Sequence, residues 1–125
     1  MRTTKRVAAL IVAALSLTPR ITIAQTAAGK VEDRRKALDA LIAEQWEYTM
    51  KTSPEFASIL GDKRYNDRLS DANEKAIHDD LDETRKFLAK FEAVDTTGFP
   101  EQEQLNKALM VRDLKDKLDG ARFEN

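Results

Sequence analysis

Residues 71–94 read DANEKAIHDDLDETRKFLAKFEAV. Ile77, Leu81, Thr84, Leu88, Phe91 and Asp95 recur at four-three-four-three-four spacing, with Phe87 flanking the stripe. That is the signature of one apolar face on a helix of about 3.6 residues per turn, running to about Val94. Asp71-Ala-Asn-Glu74 opens it as a capping box, with Asp71 in the place usually held by Ser or Thr. A polar chain with one long amphipathic helix needs other helices or a sheet to cover the apolar stripe. Period-two alternation is absent from the sequence, so the expected cover is helical.

Working outward, Thr96-Thr97-Gly98-Phe99 reads as a turn. Pro100 opens a second helix, with Glu101 and Glu103 in its first turn, where acids meet the positive end of the helix dipole. Leu105, Ala108/Leu109, Val111/Arg112, Leu114 and Leu118 carry that helix to around Gly120. On the N-terminal side, Leu38, Leu41, Ile42, Gln45/Trp46 and Thr49 follow the same spacing from Val31 to about Lys51. Ser53-Pro54-Glu55 restarts the chain as N-cap, first helical residue and first-turn acid, and Gly61 stops this short helix after Leu60. The expected fold is all-α: an antiparallel bundle of three long helices and one short one, joined by short connections.

Residues 1–24 read as a signal peptide. Arg2, Lys5 and Arg6 form a basic start, Val7 to Leu17 an apolar run, and Thr22-Ile23-Ala24 a small-residue cleavage site before Gln25. The apolar run is about half the roughly 20 residues a stable transmembrane helix needs, so no membrane anchor is expected. Gln25 to Lys30 (QTAAGK) reads as a linker. The expected location is periplasmic or secreted. Four of the 21 basic residues (Arg2, Lys5, Arg6, Arg20) and none of the 22 acids lie in residues 1–24. Their removal leaves 17 basic against 22 acidic side chains, a net charge of −5. A mildly acidic surface of mixed charge carries no footprint for nucleic acid or anionic membranes. With no cysteine in the chain, disulfides, thiolate nucleophiles and cysteine-bound zinc drop out together.

Candidate chemistry is sparse. His78 is the only histidine, among Glu74, Asp79, Asp80 and Asp82. His78 and Asp82 share a helix face, but zinc sites converge three or four ligands, and H-E-x-x-H needs two histidines. Ser53, Ser58 and Ser70 lie outside any G-x-S-x-G context, and the four glycines stand singly, forming no phosphate loop. Trp46, Tyr48, Phe56 and Tyr65 fit a core, or a ligand groove. The loop from Asp62 to Leu69 (DKRYNDRL) is the one dense polar segment, with Tyr65 and Leu69 expected to anchor it to the core. Asp62, Arg64, Tyr65, Asp67 and Arg68 either form a binding edge or satisfy one another. No catalytic, cofactor-binding or metal-binding residue is expected in this chain.

Trp46 to Asp71 (WEYTMKTSPEFASILGDKRYNDRLSD) carries a helix with an aromatic, Ser-Pro-x-x-Ala, Leu-Gly, and Tyr-x-Asp-Arg-Leu before an aspartate. This succession resembles the opening of the bacterial domain-of-unknown-function 885 family, and Leu105 to Leu114 (LNKALMVRDL) resembles its next helix. The resemblance covers residues 31–125. It implies a mostly helical, often exported protein several hundred residues long, grouped with zinc metallopeptidases of the H-E-x-x-H type by its C-terminal half. On that reading residues 31–125 are the N-terminal helical segment of a larger, truncated domain. Its partner is the missing C-terminal region, and any zinc belongs to the full-length relative. This chain has no H-E-x-x-H, so no catalytic or metal ligand carries over. The alternative is a self-sufficient exported helical module that binds another protein.

Overall fold

The computed structural model describes residues 20–122, with side chains from Ala27 onward. It is all-α among these residues: α1 (Arg20–Thr52), α2 (Pro54–Ile59), α3 (Glu74–Ala93) and α4 (Glu101–Gly120), with a single 3-10 turn at Lys63–Tyr65. Ion pairs mark the course of the helices. Arg34 of α1 meets Asp95 just past α3, and Glu44 meets Lys90. Tyr48, further along α1, meets Asp80 near the start of α3. α1 and α3 are therefore antiparallel, and α4 returns against α3 after the turn at 94–100.

The core lies where the three long helices meet. Leu38 and Leu41 of α1, Phe87 and Phe91 of α3, Phe99 of the turn and Leu114 of α4 form one buried cluster. Val31, Ile42, Tyr48, Leu88, Val94, Met110 and Val111 pack around it. Phe87 is central rather than flanking, and its ring lies 5.5 Å from that of Tyr48. The expected stripes are partly displaced. Ile77, Leu105 and Leu109 are each about half exposed, as is Trp46, which packs edge-on against Phe56 with ring centroids 6.4 Å apart. Thr84, in the α3 stripe, is buried and satisfies its hydroxyl by donating to the Asp80 carbonyl at 2.7 Å.

Two helix starts differ from expectation. α1 begins at Arg20, so Gln25 to Lys30 is helical rather than a linker. Ala27, Ala28 and Lys30 are good helix formers, and a lone glycine at Gly29 costs only about 1 kcal/mol. Of the expected signal peptide, residues 1–19 lie outside the described residues. At α3 the cap is Asn73, not Asp71. The Asn73 side-chain oxygen accepts from the Ala76 N–H at 2.8 Å, closing the cap three residues on. Asp71 accepts from the Asn73 N–H and side-chain amide, which sets the entry of the chain.

α2 ends as expected. Gly61 takes φ +86°, its N–H donates to the Ser58 carbonyl, and the Asp62 N–H donates to Ala57, which is the paired pattern of a Schellman stop. Ser53 precedes Pro54 without a side-chain cap bond. Gly98 supplies the second positive φ, +82°, in the α3–α4 turn.

Arginines of α1 clamp that turn and the start of α4. Arg34 donates to the Asp95 carbonyl at 2.7 Å, to the Asp95 carboxylate and to the Thr97 carbonyl at 2.9 Å, with its guanidinium over Phe99. Arg35 grips Glu103 with two parallel bonds of 2.8 and 2.5 Å, and also reaches Glu32. Glu103 is held below the ordinary carboxylate value by the Arg35 hydrogen bonds, and Asp95 by bonds from the Thr97 hydroxyl and N–H. Carboxylates depressed in the folded state add stability that is complete above their ordinary values and is lost as pH falls through the folded ones. The thermal midpoint is therefore expected to fall in acid, starting near the ordinary values of 4.5 for Glu and 3.8 for Asp. Glu103→Gln should lower the midpoint at neutral pH and flatten its acid slope. Identical slopes for the two proteins in a pH series of thermal melts would contradict this.

Candidate functional site

The sequence-derived candidate, the Asp62–Leu69 loop, folds onto itself. The Asp62 carboxylate accepts from the Arg64 backbone and guanidinium at 3.0 and 2.6 Å, and Arg64 reaches across to Glu47 of α1 at 2.8 Å. The Arg64 and Arg68 guanidiniums lie over the Tyr65 ring at 5.3 and 5.6 Å. Arg68 donates to Asp67 at 3.2 Å. These bonds hold Asp62 and Asp67 below the ordinary carboxylate value, chiefly through Arg64 and Arg68 respectively. All five residues are brought together, but mostly to one another. Tyr65 is half-buried, whereas Leu69 is 79% exposed and does not anchor the loop to the core.

A cleft of about 780 Å³ opens beside this loop, between the C-terminal end of α1, the first turns of α3 and the end of α4. That volume is within the roughly 300–1,000 Å³ usual for ligand sites. Leu69, Ile77 and Leu81 give it apolar walls. A polar group assembled from three helices forms part of its lining. The Tyr48 hydroxyl donates to Asp80 Oδ1 at 3.1 Å, and Lys117 Nζ meets Asp80 Oδ2 at 2.6 Å. Burial, reinforced by the adjacent Asp80 carboxylate, pushes the Tyr48 phenol well above its ordinary range. Tyr48 is thus a fixed neutral donor at physiological pH and not a base or nucleophile.

The hydroxyls and the histidine near the cleft do not assemble into a nucleophile with its base. Ser70 donates to Glu55 through its backbone at 2.9 Å and its hydroxyl at 2.5 Å. The same two bonds hold Glu55 below the ordinary value, which weakens it as a base. His78 sits outside the cleft, exposed and 3.9 Å from Glu74, beside a smaller depression of about 240 Å³ shared with Arg85 and Leu118. Among the described residues no three His, Asp or Glu side chains are placed to hold a metal ion, and no helix is long and apolar enough to cross a membrane.

Comparison with family models, curated proteins and solved structures finds no match.

Of the cleft residues, the sequence pointed to Arg68 as part of the loop's binding edge, to Tyr48 as a possible groove aromatic and to Asp80 only as part of the acidic setting of His78. Lys117 carried no signal. Tyr48 and Asp80 are 32 positions apart, and only the register between helices brings them to one place.

Proposed function

We propose that this chain is the non-catalytic helical segment of an exported protein of the domain-of-unknown-function 885 type, and that it works by contact with another protein surface. The observation that carries this reading is apolar exposure. Ile59 and Leu69 are about four-fifths exposed, and Trp46, Phe56, Leu60, Ile77, Leu105 and Leu109 about half. Leu105 and Leu109 stand one helical turn apart on α4, and Trp46 packs against Phe56 beside the turn that carries Leu60. Scattered apolar residues on a surface are ordinary, but large ones grouped on two faces of so small a bundle favour a covered surface. The resemblance over residues 31–125 supplies the partner region, a C-terminal domain of the metallopeptidase-like kind. The export pattern read in residues 1–24 supports a location for that assembly in the periplasm or outside the cell.

Purified chain is expected to bind a hydrophobic dye in its native state, and Leu105→Gln with Leu109→Gln should remove much of that signal without lowering the unfolding midpoint. A sharp unfolding transition with no dye binding would instead favour the second reading, a self-sufficient binding module, whose supporting observation is the cleft beside Leu69. Zinc-dependent peptide hydrolysis by the purified chain would overturn the non-catalytic role.

A further inference from the structure

Every acid of the cleft has a partner: Asp80 accepts from Tyr48 and Lys117, Asp79 pairs with Lys75, and Asp71 accepts from Asn73. One of its cations has none: the Lys51 ammonium lines the cleft with no hydrogen-bond or ion-pair partner among the described residues. Lys117 uses one of three N–H donors on Asp80. Arg68 gives only its Nε to Asp67, leaving both terminal nitrogens of the guanidinium. What remains is a set of cationic donors on a lining that also holds apolar Leu69, Ile77 and Leu81.

We propose that this cleft binds a peptide end: a free C-terminal carboxylate held by Lys51 and Arg68, with the preceding apolar side chains against Leu69, Ile77 and Leu81. The single unpaired cation, Lys51, suits a monoanion: Lys51, Arg68 and Lys117 are matched in number by Asp71, Asp79 and Asp80, so the lining holds no surplus of positive charge for a dianionic phosphate. The mixed lining also selects a peptide over an acyl chain. Thr52, Ser53 and Ser70 interrupt the apolar wall with hydroxyls, which suit a peptide backbone and leave a bare hydrocarbon against polar groups. The inference goes beyond the packing role proposed above, since a segment that only packs needs no ligand, and it depends on neither export nor the family resemblance.

The test is isothermal titration of the full chain with acetyl-Ala-Leu-Leu bearing a free carboxylate, and with the same peptide as its C-terminal amide. The acid is expected to bind about tenfold more tightly than the amide, as loss of a charge-assisted contact implies. Its affinity should drop as salt is raised. Lys51→Gln, at an exposed and unpaired position, should weaken the acid several-fold with the unfolding midpoint unchanged, and Arg68→Gln should do the same. Equal affinity for acid and amide, or no binding of either at millimolar concentration, would overturn the proposal. Decanoate binding in place of the peptide would assign the cleft to a lipid carboxylate and overturn it as well. Neither result would touch the dye-binding test of the packing role.

Discussion

Phe91→Ala is expected to lower the unfolding free energy by about 3–5 kcal/mol, the usual cost of deleting a fully buried aromatic ring. Phe91 is 0% exposed and belongs to the cluster that joins all three long helices. A chain of this size holds only about 5–15 kcal/mol in total, so the variant should lose a third or more of its stability. No disulfide is present to limit the loss. Urea unfolding followed by far-UV circular dichroism measures it directly. The informative control is Ile77→Ala, on the same helix and in the same sequence stripe but about half exposed. It should cost under about 1 kcal/mol. Comparable losses at the two positions would mean that α3 buries Ile77 as fully as Phe91.

That contrast also marks what the sequence made legible. The three-four spacing specifies that α3 is a helix with one apolar side, and the structure bears out the all-α bundle built on it. Spacing does not specify where along the stripe the neighbouring helices end. Ile77 lies in the first turn of α3, where α1 is already giving way to the loop, so it faces the cleft instead of the core. Phe87, read as a flank, is central because α1 approaches α3 from the side on which Tyr48 lies. Leu105 and Leu109 fit a helical period as well as Met110 and Leu114 do, yet α4 turns only the second pair inward.

Local signals fared better where one bond decides the outcome. Gly61 stops α2 because the next turn needs φ +86°. At α3, two side chains two positions apart competed for the cap. Asn73 took it because Asp71 could serve as its support. The Asp62–Arg68 loop was legible as a unit because most of its partners are near neighbours in sequence, the exception being Glu47. The Tyr48–Asp80–Lys117 group was not, because each member sits on a different helix and none has a motif of its own.

Leu38→Ala should be the second severe substitution, at about 2–5 kcal/mol. Leu38 is 1% exposed and, with Leu41, is the part of α1 buried in the shared core. Its neighbours on α1, Arg34 and Arg35, hold the turn and α4 by partly solvated ion pairs, which fix the register of α1 more than they stabilise it. The main adhesion of α1 is therefore apolar, and Leu38 belongs to the same buried cluster as Phe91 and Phe99. This makes the double variant with Phe91→Ala decisive. If both side chains line one cavity, removing the second enlarges a void that already exists, and the combined loss should depart from additivity by at least 0.5 kcal/mol, within the roughly 0.5–3 kcal/mol expected of neighbours. Distant, independent sites would add to within about 0.3–0.5 kcal/mol. Additive losses in matched urea titrations would mean that α1 and the α3–α4 hairpin are stabilised separately, and the bundle would then be two packed pieces rather than one core.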